Sequence, residues 1–290
     1  ITGATSVGYS TLDRWEHNAS GATLNMSQQA LTLGQTDIPS SFKNFFRVNA
    51  TTGNNNAGVW QKVEGVDRVQ GTVTLSFYAK GTNPSAGNFE IELDQYFGSS
   101  GSGSGTVLET FTVTSSWQRF TKTITVPSLS GDSIGGGNDY FRVYFRQANA
   151  DTGTAAWTLD FTGVQLELGK VATPFEHRSY GEELAACQRY YQTSSPDITP
   201  YRTFANYTAT AAYGIWQFPV QMRAVPTVTF SSSGWSIYSN AGLRTYTSST
   251  TDGISRTALN QVITGSGWAA GYSSFARCTT ANGITMDAEL

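Results

Sequence analysis

The stretch DYFRVYFRQ, Asp139–Gln147, decides the fold class, because apolar and polar side chains alternate along it with a period of two. In an extended strand, successive side chains point to opposite faces of the sheet. One face of this strand takes its apolar residues: Phe141, Val143 and Phe145. The other face takes aromatic and basic residues in turn: Tyr140, Arg142, Tyr144 and Arg146. The pattern predicts a half-buried antiparallel strand.

The same alternation continues in both directions from this strand. Short stretches rich in Val, Thr, Phe and Tyr are separated by clusters of Gly, Asn and Ser, without a helical period between them. The clearest are VTLSFYAKG (Val73–Gly81), FEIELDQYF (Phe89–Phe97), VLETFTVTSSWQRFTKTITVP (Val107–Pro127) and WTLDFTGVQLELG (Trp157–Gly169). This spacing predicts an all-β fold that begins with a jelly-roll β-sandwich rather than a parallel sheet with crossover helices.

Length and composition narrow the functional class. With 290 residues, the chain is long enough for two domains. Its net charge of −3 argues against the broad basic surface that sequence-independent nucleic-acid binding requires. The sequence also lacks the run of about 18 apolar residues that would span a bilayer. We therefore expect neither nucleic acid as a partner nor insertion into a membrane.

The sequence offers little material for catalysis or metal binding. Cys187 and Cys278 are each alone, so we expect both to be small buried hydrophobes rather than a CxxC pair. His17 and His177 are the only histidines, which is too few for an ordinary zinc site. No GxSxG motif follows a strand-like stretch. We therefore expect no catalytic residues, no metal ligands and no enzymatic activity.

The stretch SYGEELAACQRYYQ, Ser179–Gln192, predicts a helix. Ser179 and Glu182 form a capping box, in which each side chain accepts a hydrogen bond from the other residue's backbone N–H. Four residues fall on one stripe of this helix: Tyr180, Leu184, Cys187 and Tyr191. The stripe packs either on the sandwich of its own chain or against the same helix of neighbouring chains. We favour the second arrangement, an oligomer seam.

The helix separates two β-rich regions. We predict a jelly roll over residues 1–175, a helical joint over 176–194, and a smaller C-terminal β-sandwich over 195–290. The last region places aromatic residues among Gly, Ser, Asn and Thr, which is typical of adaptable binding loops but equally of a small core. These aromatic residues are Trp235, Tyr238, Tyr246 and Trp268.

One long stretch resembles a known family. VQLELGKVATPFEHRSYGEELAACQRYYQ, Val164–Gln192, is similar to a junction in tailed-bacteriophage virion proteins, including tail fibres. In that family a carbohydrate-binding-module-like jelly roll leads through a TPFE-R-YGEEL segment into a CQRYY helix and a C-terminal domain. GYSTLDRW (Gly8–Trp15) and SSWQRFTKTITVP (Ser115–Pro127) resemble parts of the same jelly roll. The resemblance implies a virion protein that is a homotrimer and not an enzyme.

Aromatic rings beside arginine donors suit sugars, because a pyranose stacks on a ring while its hydroxyl groups form hydrogen bonds. The glycan-binding candidates are therefore Tyr140, Arg142, Tyr144, Arg146, Trp60, Trp235, Tyr238 and Trp268. The other interpretation, which we favour for this strand, is that the arginines pair across strands with acids on a solvated face. We expect the acids of FEIELDQYF to be surface residues, namely Glu90, Glu92 and Asp94. Trp117 and Trp157 are expected in the core.

The resemblance alone singles out Asp160 as a candidate metal ligand. It occupies the position where related jelly rolls often place an acid near a structural calcium. Calcium takes about six or more oxygen ligands, so one aspartate does not make a site. We expect no cofactor, and a structural calcium only as a minor alternative.

These observations predict a phage virion structural protein, a fibre or tail-tip component that adheres to host-surface glycans without catalysis. Its partners would be itself, as a homotrimer, other virion proteins and cell-surface polysaccharide. It would assemble in the host cytoplasm and act in the virion outside the cell. The first alternative is a capsid decoration or head fibre with a purely structural role. The second is a polysaccharide depolymerase, which would use two carboxylates that flank the scissile bond.

Overall fold

A computed structural model of the chain describes residue 4 and residues 7–9, 14–194, 201–240, 242–280 and 282–289. The predicted all-β class is confirmed, with a jelly-roll sandwich and one short helix. The chain divides into two compact units after His177, and the helix belongs to the second unit. Among the described residues, no helix is both long and apolar enough to cross a membrane.

The first unit contains eleven strands within its described residues. They are β1 (Val7–Tyr9), β2 (Trp15–Asn18), β3 (Thr23–Ala30), β4 (Asn44–Thr52), β5 (Gly58–Glu64), β6 (Thr72–Thr82), β7 (Phe89–Tyr96), β8 (Gly105–Phe111), β9 (Gln118–Thr125), β10 (Tyr140–Gln147) and β11 (Trp157–Leu168). A 3₁₀ turn at Val66–Arg68 follows β5.

The strands of the first unit form two antiparallel sheets. One is six-stranded in the order β1-β2-β5-β10-β7-β8, and the other is five-stranded in the order β3-β4-β11-β6-β9. The apolar residues that alternate along β10 are buried in the core between the sheets, as predicted: Phe141, Val143 and Phe145. Trp157 joins the same core, and Trp117 is buried in a smaller cluster with Phe45. The period-two pattern therefore assigns the faces of β10 correctly.

The second unit begins with α1 (Tyr180–Gln188). The predicted capping box is present, because Ser179 Oγ accepts from the Glu182 N–H and the Glu182 carboxylate accepts from the Ser179 N–H. The predicted end at Gln192 is wrong. The Tyr190 N–H donates to Cys187 O, and Tyr191 pairs with Asp287 in a strand. A tyrosine near the end of the helix favours a strand once a partner strand is available.

The remaining strands are β12 (Tyr191–Thr193), β13 (Arg202–Asn206), β14 (Ala211–Gln217), β15 (Thr227–Phe230), β16 (Trp235–Ser239), β17 (Gly242–Ile254), β18 (Ala258–Ser266), β19 (Ser273–Cys278) and β20 (Ile284–Asp287). The expected smaller sandwich takes the form of a closed barrel, β13-β14-β18-β17-β16-β19, and a separate three-stranded sheet, β12-β20-β15. Closure of the barrel leaves it no unpaired strand edge.

The second unit has two small hydrophobic clusters. Phe204, Ile237 and Ile263 fill the barrel, while Met222, Ile284 and Met286 belong to a second cluster with Trp216. Cys278 is fully buried, as predicted. The same prediction is wrong for Cys187, which is only half-buried because it lies on α1, where no residue is buried.

Candidate functional site

The outer face of the six-stranded sheet brings together most of the candidates that the sequence singled out in the first unit. We call it the charged face. It comprises Glu16, Trp60, Lys62, Glu90, Glu92, Asp94, Tyr140, Arg142, Tyr144 and Arg146. All ten residues lie on strands rather than loops, so the backbone ladders fix their relative positions.

Strand register sets the neighbours of each side chain on this face. β10 runs between β5 and β7, so Tyr144 lies between Trp60 on one side and Glu92 on the other. Arg142 lies between Lys62 and Asp94. The register therefore places each aromatic or basic residue of β10 beside an acid or a second aromatic ring.

β5 approaches the backbone of β10 closely beside Arg146. Gly58 pairs with Arg146, and a β-carbon at Gly58 would lie 2.1 Å from the Phe145 carbonyl oxygen and 2.6 Å from Arg146 Cα. Such contacts are closer than non-bonded atoms tolerate. Glycine at position 58 thus permits this close approach of the two strands.

The charged side chains form a continuous set of ion pairs across the strands. Arg146 Nη2 lies 2.9 Å from Glu90 Oε2 and 3.0 Å from Glu92 Oε2. Arg142 contacts Glu92 as well and lies 3.4 Å from Asp94 Oδ2. The predicted cross-strand pairing of arginines with acids is therefore present, and each arginine is shared between two acids.

The expectation that these acids are surface residues is wrong. Glu90, Glu92 and Asp94 are 8%, 7% and 6% exposed. Carboxylates are seldom buried to this extent unless they are paired, because removing a charge from water is costly. The cross-strand arginines supply that pairing.

Lys62 and Glu16 extend the charged face toward β2. Lys62 Nζ lies 2.6 Å from Glu16 Oε1 and 4.7 Å from the centroid of the Tyr140 ring. Neither residue was among the candidates predicted from the sequence. Alternation along WEHN and GVWQKVE assigns Glu16 and Lys62 to strand faces. Only the pairing of β2 with β5 brings the two residues together.

Aromatic rings fill the space between the charges. The Trp60 and Tyr144 rings meet edge to face with centroids 5.0 Å apart, and the Tyr96 and Tyr140 rings stack at 4.8 Å. The Arg142 guanidinium lies 5.3 Å from the Trp60 ring centroid. Trp60 and Tyr144 are buried, while Tyr140 and Arg142 are half-buried. Tyr140 and Arg142 are thus the first-unit candidates most accessible to a ligand.

Several donors on this face lack a hydrogen-bond partner. Trp60 Nε1, Arg142 Nε and Arg146 Nε are buried, and none of them is hydrogen-bonded among the described residues. Buried polar groups without a partner are uncommon in folded proteins. Three of them lie on the charged face, beneath its accessible surface.

Burial raises the pKa of two phenols on this face further above physiological pH. It raises the pKa of Tyr144, whose hydroxyl donates to the Asn56 carbonyl oxygen, and it also raises the pKa of Tyr140. Both hydroxyl groups therefore stay neutral at physiological pH and remain hydrogen-bond donors.

The three candidates in the second unit do not form one surface. Trp268 is 5% exposed and belongs to the core of the barrel, so the core alternative holds for this residue. Trp235 is half-buried, stacks on Tyr246 at 5.6 Å and donates to Ser231 O. Tyr238 alone is exposed, with its ring against that of Tyr201.

Two of the oligomer-seam candidates are large residues that are exposed on α1. Tyr180 is 82% exposed and Leu184 is also exposed, while Cys187 is half-buried. Tyr191 is exposed too, but it lies on β12 and not on the helix. The seam itself stays a prediction, now with Tyr180 and Leu184 as its helical residues.

Asp160 is engaged by a basic residue. Arg47 donates two hydrogen bonds to its carboxylate, from Nε to Oδ1 and from Nη2 to Oδ2, each 2.7 Å long. Both carboxylate oxygens are thus used. Among the residues that the structure describes, no group of three His, Cys, Asp or Glu side chains could hold a metal ion. The structural calcium stays a minor alternative that the structure does not test.

Comparison with known proteins gives structural likenesses only. No protein-family model and no curated protein sequence matches the chain. Similar solved structures are carbohydrate-binding modules with β-sandwich folds. The module CBM4 is 21% identical, with 42% of this chain and 82% of that chain covered and a TM-score of 0.31. The family 11 module of cellulase Lic26A-Cel5E from Clostridium thermocellum is 18% identical, with 60% and 99% covered and a TM-score of 0.35. The CBM22-1 xylan-binding domain of Paenibacillus barcinonensis Xyn10C is 15% identical, with 59% and 95% covered and a TM-score of 0.31.

Proposed function

We propose that the protein binds polysaccharide through the charged face and breaks no bond in doing so. The observation that carries this proposal is the placement of a half-buried aromatic ring, Tyr140, and a half-buried guanidinium donor, Arg142, on the same face of β10. A sugar presents both an apolar ring face and hydroxyl groups, so it can use the rings and the donors together.

The ion pairs prepare this face for binding. Arg142 and Arg146 are held between acids, so their guanidinium groups need not be ordered when a ligand arrives. The carboxylates remain as acceptors for sugar hydroxyl groups. Tyr140 and Arg142, which keep part of their surface exposed, would make first contact.

We further propose that the chain is a virion fibre or tail-tip component that adheres to host-surface glycans. Support for this role comes from the resemblance of Val164–Gln192 to the junction in tailed-bacteriophage virion proteins. A homotrimer would present three copies of the charged face, and multivalent contact would raise weak affinity for each sugar through effective concentration.

A purely structural role in the virion is the second candidate, and one observation favours it. Trp60 and Tyr144 are almost fully buried and pack against each other, so they offer little free ring surface for a sugar. In that case the ion pairs and rings would serve only to stabilise the sheet.

The deciding experiment is binding of the purified chain to an array of bacterial capsular and O-chain polysaccharides, before and after periodate oxidation of the glycans. We expect binding that oxidation removes. Arg142→Met and Tyr140→Ala should weaken it at least tenfold, whereas Tyr207→Ala should not, because Tyr207 is an exposed tyrosine of the second unit. A folded protein that binds no member of the array would overturn the proposal and favour the structural role.

A further inference from the structure

The second unit contains a cavity of about 390 Å³ that the proposed function does not use. It opens between the end of α1, β12 and the adjoining ends of β13 and β14. Its lining includes Gln188, Gln192, Ser194, Arg202, Trp216 and Gln217. The volume is in the range of pockets that hold small ligands.

Among the described lining residues, Arg202 is the single charged one. Its guanidinium carbon lies 3.3 Å from the centroid of the Trp216 ring, and Trp216 is buried. Stacking of this kind covers one face of the guanidinium and leaves its N–H edge free for an acceptor.

No acid described in the structure pairs with Arg202, and its Nε is buried without a hydrogen-bond partner. Burial accordingly lowers the pKa of the guanidinium, although arginine stays charged at any physiological pH. The arginines of the charged face differ, since Arg142 and Arg146 each contact two acids. A half-buried cation beside a cavity, with no counter-ion among the described residues, favours an anionic ligand.

Gln192 supplies a fixed acceptor in the same cavity. Its side chain is 4% exposed, and Nε2 donates to Gln188 O at 2.9 Å and to Val220 O at 2.8 Å. These two carbonyl groups set the orientation of the amide, because only its nitrogen can donate to them. The buried Oε1 atom has no partner among the described residues, so it can accept from a ligand hydroxyl group.

The combination selects one ligand class. A single cation balances a monoanion better than a phosphate dianion, and a guanidinium edge matches a carboxylate with two parallel hydrogen bonds. The acceptor on Gln192 requires a donor on the same ligand. We propose that this cavity binds the carboxylate-bearing sugar residue of an acidic glycan, with Arg202 on the carboxylate and Gln192 on a ring hydroxyl.

This inference is independent of the charged face, which lies in the other unit. The test is titration of the whole chain with sodium glucuronate, glucose and sodium acetate, followed by NMR of the arginine Nε–H signals and by calorimetry. We expect glucuronate to bind and to shift the Arg202 Nε–H signal. Glucose and acetate should each bind at least tenfold more weakly, because each offers only one of the two groups.

Three arginine variants test whether glucuronate binds at Arg202. Arg202→Met keeps an unbranched apolar stem against Trp216 and should reduce glucuronate affinity at least tenfold. Arg178→Met removes the same charge from an exposed position of the same unit and should leave the affinity unchanged. Arg142→Met should also leave it unchanged, which separates this site from the charged face.

Three results would overturn the proposal. The first is absence of glucuronate binding by the folded wild-type chain, and the second is equal affinity for acetate and glucuronate. The third is an equal loss of affinity in Arg178→Met and Arg202→Met. The shift of the Arg202 signal in the wild-type chain keeps the test decisive if Arg202→Met fails to fold.

Discussion

Arg146 and Glu90 lie directly opposite each other on β10 and β7, and their side chains form an ion pair of 2.9 Å in which both are nearly buried. Glu92 is the second partner of Arg146, at 3.0 Å. Removing one member of a buried pair leaves the other charge without compensation, and this penalty exceeds what the pair itself contributes.

Replacement of Arg146 should therefore destabilise the first unit strongly. We expect Arg146→Met to lower the free energy of unfolding by about 3–5 kcal/mol, since it strands the Glu90 carboxylate. Glu90→Gln should cost less, about 2 kcal/mol, because Arg146 keeps Glu92 and the amide oxygen can still accept from the Asn149 N–H. Urea denaturation followed by tryptophan fluorescence measures both changes.

An exposed ion pair of the same unit provides the control. Lys122 and Glu109 lie 3.5 Å apart with both side chains in contact with solvent. Glu109→Gln should cost less than about 1 kcal/mol. Equal losses for Glu90→Gln and Glu109→Gln would show that the charged face does not stabilise the fold in the way its burial indicates.

His17 makes the stability of the first unit depend on pH. It lies on β2 and is buried, and this burial lowers the pKa of its imidazole below the ordinary value of 6.5, although the neighbouring Glu16 acts in the opposite direction. As the pH falls through 6.5, the unfolded chain takes up a proton that the folded chain binds less readily. The folded state therefore loses stability as the pH is lowered from about 7 to about 5.

The measurement is the free energy of unfolding of wild-type protein and His17→Gln across that pH range. We expect the difference between the two proteins to shrink as the pH falls, because the variant lacks the titrating group. His177→Gln is the matched control, since His177 is exposed. A difference between wild type and His17→Gln that stays constant with pH would contradict the assignment.

The sequence predicts those features of the fold that depend on interactions between residues close together in the chain. Alternation along Asp139–Gln147 correctly separates the core residues of β10 from the residues on its outer face, because the period of a strand is local. The capping box at Ser179 is equally local, and it is present. Such features follow from neighbouring residues alone.

Features that depend on strand order did not follow from the sequence. The pairing of Arg146 with Glu90 requires β7 to lie beside β10, although about 50 residues separate them in the chain. Closure of the second unit into a barrel depends on contacts of the same kind, such as β13 with β19. The Arg202 cavity was missed for this reason, since Gln192 and Trp216 reach it from different strands.

The apolar surface of α1 provides the last prediction. Tyr180 is 82% exposed and Leu184 is also exposed, one helical turn away. Large apolar residues that are exposed side by side on a helix are typical of a surface that another protein chain covers. If the chain is a homotrimer with its seam on α1, Tyr180→Ser combined with Leu184→Ser should convert trimer into monomer in sedimentation equilibrium. Tyr207→Ser, a similarly exposed tyrosine away from the helix, should leave the mass unchanged. A wild-type chain that sediments as a monomer, or a double variant that remains trimeric, would place the oligomer contact elsewhere or remove it.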